Sequence, residues 1–131
     1  MNTNIKIKDE YDYIPGNGKN TKFEYLYRDA SNYKVHNEVV IQGQITVEQA
    51  SKIIECCDYE CFIPHMVEMP EKTFVDFGYS KNEDDTEFFE LGRGDIAMCN
   101  IFSYTNEEPS DLTCEQLVRN FIKANRKNWE E

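Results

Sequence analysis

The chain predicts an α+β fold, an antiparallel β-sheet of about five strands with two helices packed on one face. Three observations predict it. Aromatic residues alternate with others from Phe23 to Tyr27, the period-two pattern of a strand with one buried face. Two stretches open on Thr followed three residues later by Gln, and each begins a run with apolar residues at steps of three and four. Hairpin-length polar segments separate the remaining apolar runs, which makes neighbouring strands antiparallel.

Residues 1–22 read as a loosely structured N-terminal segment. Pro15-Gly16-Asn17-Gly18-Lys19-Asn20 is dense in turn formers, and a short strand is expected near Ile5–Ile7. A single α+β domain is expected over 23–131. Within it, residues 23–43 read as a hairpin, in which Asp29-Ala30-Ser31-Asn32 supplies turn chemistry because these short polar side chains bond the local backbone. The second strand is strongest at Glu38-Val39-Val40-Ile41 and closes at Gly43. Thr46 and Gln49 then have capping-box spacing, with Val47, Ala50, Ile54 and Cys57 on one face of a helix ending near Asp58.

Three strands are expected next. Phe74–Tyr79 alternates, Glu87–Leu91 is aromatic-rich, and Ile96–Tyr104, the most apolar run, reads as a central strand. Ser80–Thr86 and Gly92–Asp95 read as turns. Thr113 and Gln116 repeat the capping box and open a helix over about 113–128, with Leu117, Val118, Phe121 and Ile122 as its buried stripe. Arg119, Lys123, Arg126 and Lys127 fall in its later turns, where the helix dipole favours cations. The predicted order is β-β-α-β-β-β-α.

Charge is the feature that speaks to partners. The net charge is −11, and between Glu38 and Glu115 eighteen acidic residues face four basic ones. This surplus points to a positively charged protein and away from direct nucleic-acid binding, since the small basic cluster of Arg119, Lys123, Arg126 and Lys127 is outweighed by the rest. No stretch approaches the roughly 18–20 apolar residues of a membrane span. The N-terminus has no apolar secretory core, so a cytoplasmic location is expected. Five cysteines, Cys56 and Cys57 adjacent among them, make a poor disulfide framework and fit a reducing compartment.

Catalytic and metal signals are weak. Cys57, Cys61 and His65 are spaced by four, but Pro64 breaks any helix that would align them and no CxxC occurs, so no metal centre is expected. Cys114 falls in a helix first turn, which lowers a thiol pKa, yet its expected role is packing. The loop Asn82–Glu87 is rich in oxygen ligands but lacks the glycine of a calcium loop. Arg93 between two glycines reads as a hairpin turn rather than a phosphate cradle. Neither enzyme activity nor a cofactor is expected.

Tyr25-Leu26-Tyr27-Arg28-Asp29-Ala30-Ser31-Asn32-Tyr33-Lys34, then Val39-Val40-Ile41-Gln42-Gly43-Gln44-Ile45-Thr46, then Phe62-Ile63-Pro64 resembles a family of small bacterial proteins of unassigned function, similar to proteins of mobile elements and prophages. The resemblance covers about residues 23–70 and implies no catalytic residues.

Together these point to an acidic protein-binding inhibitor. Its concrete form is an anti-CRISPR-type nucleic-acid mimic that occupies a basic groove of a Cas or other nucleic-acid-binding defence protein. Candidate contacts are Glu83, Asp84, Asp85, Glu87 and Glu90, with Glu68 and Glu71 as a second set. An immunity protein or antitoxin neutralising a basic toxin, and a housekeeping binding module, remain as alternatives.

Overall fold

The structure is a computed structural model and describes residues 14–79, 86–91 and 101–130. Its first strand, β1 (Asn20–Arg28), organises the rest. Antiparallel to it runs β2 (Lys34–Ile41), in a register from Thr21 opposite Ile41 to Arg28 opposite Lys34. The other edge of β1 is shared. β4 (Phe89–Leu91) pairs with Tyr25 and Leu26, while β5 (Phe102–Thr105) pairs with Asn20–Phe23. Between them the Glu24 amide donates to the Ile101 carbonyl at 2.9 Å. β3 (Cys61–Phe62) extends the sheet beyond β4, giving the order β2-β1-β4-β3 with β5 beside β1.

The period-two pattern of β1 decides the faces. Phe23, Tyr25 and Tyr27 point inward and are buried, together with Val35 and Ile41 from β2, Phe62 from β3, and Phe89 and Leu91 from β4. The alternate positions, Lys22, Glu24, Leu26 and Arg28 with His36 and Glu38 opposite, form the uncovered face.

Two helices cover the inner face: α1 (Val47–Cys56) and α2 (Cys114–Arg126). Both capping boxes are made. Thr46 accepts from the Gln49 amide at 3.0 Å while Gln49 accepts from the Thr46 amide at 2.9 Å. The Thr113 and Gln116 pair does the same at 3.1 and 3.0 Å. Each box satisfies two otherwise orphaned N–H groups. The helices run parallel, because both start beside the end of β2, where Gln42 bonds Leu112 and Cys114. Their far ends also meet. The α1 terminal carbonyl of Cys56 accepts from Asn125 Nδ2 at 3.1 Å and from Trp129 Nε1 at 3.0 Å. Asn128 and Trp129, at φ 55° and 58°, turn the chain back so that the indole is buried.

Several expectations need correction. Phe74–Tyr79 is not a strand: Phe74–Phe77 is a 3-10 helix. The centre of the sheet is β1, and the apolar run Ile96–Tyr104 contributes β5 only over Phe102–Thr105, residues 96–100 lying outside the described residues. Helix α1 ends at Cys56, two residues earlier than expected. On α2 the buried positions are Cys114, Leu117, Phe121 and Ala124, with Val118 and Ile122 only partly covered. The first strand starts at Asn20, and Ile14 is buried in the core. The expected strand at Ile5–Ile7 and turn at Gly92–Asp95 lie outside the described residues, as does 80–85 of the expected polar loop.

Candidate protein-interaction surface

The segment after β3 builds a surface that the sequence pattern concealed. Pro64–Val67 forms one 3-10 turn, ended by Glu68 in the left-handed conformation at φ 68°. Residues 70–73 then lie across the inner face near the hairpin end of the sheet, held by two buried polar groups. Tyr25 donates its hydroxyl to the Pro70 carbonyl at 2.6 Å. The buried Asn37 amide clamps Lys72 from both sides, accepting from its N–H at 2.7 Å and donating to its carbonyl at 3.0 Å. Burial raises the Tyr25 phenol above its ordinary pKa, so it stays a donor.

From this tether projects the 3-10 helix Phe74–Phe77. Thr73 and Asp76 form a third capping box, in which the Asp76 carboxylate accepts from the Thr73 amide at 2.7 Å, and Gly78 closes the turn at φ 92°. A turn this tight cannot hide every side chain. Val75, Phe77 and Tyr79 are 53%, 60% and 65% exposed. The β1–β2 turn adds Tyr33, 68% exposed, whose ring meets Phe74 edge-on at 6.4 Å, and Phe74 in turn meets Tyr79 at 6.1 Å. That turn is itself fixed: Asp29 accepts from the amides of Ser31 and Tyr33, both at 2.9 Å, and Arg28 bonds Asn32. Exposed aromatic clusters of this kind are uncommon on monomers and mark interaction surfaces.

Removing the clamp should free this surface. Asn37→Ala leaves the Lys72 backbone groups without their side-chain partner, at an expected cost of about 1–3 kcal/mol. Hydrogen exchange at the Lys72 amide should quicken while α2 amides keep their relative protection. Unchanged Lys72 protection would show that the clamp does not hold the segment.

Four of the predicted acidic contacts, Glu68, Glu71, Glu87 and Glu90, fall within the described residues. Glu83, Asp84 and Asp85 lie outside them. Glu87 is exposed just before β4, and Glu68 is exposed at its turn. Glu90 is committed internally, accepting from Arg28 Nε and Nη2 at 2.6 and 3.1 Å. Glu71 is likewise engaged, accepting from the His65 backbone N–H at 2.8 Å and lying 2.7 Å from His65 Nδ1. On the uncovered face, Glu38 and Glu107 share Lys22, at 3.7 and 2.7 Å. Hydrogen bonding from Lys22 lowers the Glu107 pKa, and the same bond raises that of Lys22. Glu38, Glu90 and Glu107 therefore each have a cationic partner within the molecule.

A cleft of about 460 Å³ lies beside the Arg28–Glu90 pair, lined also by Asp29, Asp58, Tyr59, Cys61 and Phe88. Its thiol is not activated. Burial, then Glu90, Asp58 and Glu60, push Cys61 up to about 11. Burial likewise raises Cys56, Cys57 and Cys114. Cys114 packs at the start of α2, its Sγ facing the Gln42 and Gly43 carbonyls at 3.4 and 3.6 Å, so desolvation outweighs the helix terminus. Among the described residues the three-ligand grouping is Glu24, His36 and Glu38, not Cys57, Cys61 and His65. No described helix is long and apolar enough to cross a membrane.

Comparison of this chain with protein-family models, curated proteins and solved structures finds no match.

Proposed function

We propose that this chain is an acidic protein-binding inhibitor, with Tyr33, Val75, Phe77 and Tyr79 as the anchor of its interface. The carrying observation is the ring chain Tyr33–Phe74–Tyr79, exposed at Tyr33 and Tyr79, with Val75 and Phe77 exposed on the same turn, which Asn37 and Tyr25 hold from behind. Rigid aromatic anchors supply most of the energy of protein interfaces at low entropic cost. The net charge of −11 adds a preference for a basic partner and speeds encounter.

In its specific form, the partner is a Cas or other nucleic-acid-binding defence protein, and carboxylates occupy the groove that phosphates otherwise fill. The charge surplus and the resemblance to mobile-element proteins support this form. The aromatic cluster favours a second reading, an immunity protein or antitoxin, because a hydrophobic anchor resembles no part of a phosphate backbone.

The test is capture from a host lysate by wild-type protein and by a Phe77→Ala, Tyr79→Ala variant, followed by titration of the purified partner. The variant should lose about 10–100-fold in affinity, and raised salt should weaken wild-type binding. Displacement of the partner by DNA or RNA marks the groove-occupying form, and a co-encoded toxin marks the second reading. Undiminished binding by the variant would reject this surface. Salt-independent binding would reject the electrostatic part.

A further inference from the structure

The uncovered face of the sheet holds a grouping of one imidazole and two carboxylates. The β1–β2 register sets Glu24 directly opposite Glu38. Like charges facing each other across antiparallel strands are destabilising. His36, two residues before Glu38 on the same face, brings its Nε2 to 3.5 Å from Glu24 Oε1 and 3.4 Å from Glu38 Oε1. All three ligand atoms lie within 4.8 Å of one another.

These separations exceed the roughly 2.7–2.9 Å of a charge-assisted hydrogen bond. The same molecule shows the contrast: His65 Nδ1 lies 2.7 Å from Glu71 Oε2. The spacing around His36 matches something else. Ligands about 2.0–2.2 Å from a tetrahedral ion stand roughly 3.3–3.6 Å apart, so the imidazole is already at ligand-to-ligand distance from both carboxylates. The remaining Glu24–Glu38 edge closes by rotation of the glutamate side chains, which are 25% and 44% exposed.

We propose that Glu24, His36 and Glu38 form a binding site for a divalent transition-metal ion of the zinc class. Glu24 Oε1, Glu38 Oε1 and His36 Nε2 are the ligands, and water completes the shell. One imidazole and two carboxylates suit borderline ions such as Zn²⁺ and Co²⁺. The ion removes the cross-strand repulsion and ties β1 to β2 through side chains. Lys22 leaves the site usable. It contacts Glu38 through Oε2, at 3.7 Å, and sits closer to Glu107, at 2.7 Å. Its positive charge nevertheless opposes a cation, so the site binds more weakly than a closed structural one.

The experiment titrates Zn²⁺ into chelator-treated, reduced full-length protein by calorimetry and follows Co²⁺ substitution by absorbance. Wild type should take up an ion with a tetrahedral cobalt spectrum and no thiolate-to-cobalt charge-transfer band. His36→Gln and Glu24→Gln should each weaken binding at least about tenfold, since even losses outside the ligand shell cost that much. His65→Gln should leave it unchanged. Both ligand changes sit on an exposed sheet face, and circular dichroism checks that the variants fold. Absence of saturable uptake, a thiolate band, or equal affinity in His36→Gln would each overturn the site.

Discussion

Phe23→Ala is expected to cost the fold about 3–5 kcal/mol, a large share of the roughly 5–15 kcal/mol that holds a domain together. The ring has no solvent exposure and stands at the meeting point of the sheet and α2. Its centroid is 4.6 Å from Phe102, 5.5 Å from Tyr25, 5.8 Å from Phe62 and 6.2 Å from Phe121. Those neighbours come from three strands and a helix, so no single element can move in to fill the gap. The cost is the lost transfer energy plus the cavity left behind. Urea unfolding measures it as a lower midpoint at unchanged slope. A loss under about 1 kcal/mol would mean that the core collapses around the site and that these ring contacts are not its framework.

Removing the side chain of Trp129, two residues before Glu131, is the second large effect. Chain ends ordinarily tolerate change. Here the indole is 5% exposed, meets Phe121 edge-on at 5.7 Å, and donates to the carbonyl that ends α1. Trp129→Ala should cost about 3–5 kcal/mol. Trp129→Phe should recover most of the packing and lose only the hydrogen bond, near 1 kcal/mol. Thermal or urea unfolding of the two variants separates the terms. Equal loss in both would place the effect in the N–H group. No loss in either would mean that the C-terminal turn does not dock.

Much of this fold was readable from local chemistry. The Thr-x-x-Gln boxes at 46–49 and 113–116 located both helix starts to the residue, because a cap is a local contest for orphan N–H groups. The aromatic alternation of Phe23–Tyr27 revealed the hairpin for a similar reason. The failure at Phe74–Tyr79 is instructive. Phe74-Val75-Asp76-Phe77 reads as a strand by period, yet Thr73 and Asp76 are themselves a capping pair and Gly78 is a stop signal. The same rule that found the helices, applied with Asp as the fourth residue, finds this turn. The centre of the sheet was less legible. Which strand gains partners on both edges depends on pairings across some 65–85 residues, and hydrophobicity alone pointed to β5.

The pairing of individual acidic residues was not legible for a related reason. Composition counts charges but not their partners. Arg28 lies sixty-two residues from Glu90, and the pair exists only because β4 docks beside Leu26. The surface now proposed was hidden because Phe74–Tyr79 read as an alternating strand, whereas the 3-10 turn leaves Val75, Phe77 and Tyr79 exposed.

The position of β1 bears on biosynthesis. A ribosome releases Asn20–Arg28 early, and β2 follows to occupy one side. The other side must wait for Phe89–Leu91 and Phe102–Thr105. During that interval a strand rich in Phe and Tyr offers a bare row of amides and carbonyls to any extended neighbour. Conditions that slow synthesis, or truncations before Phe102, should therefore favour inclusion bodies over soluble product.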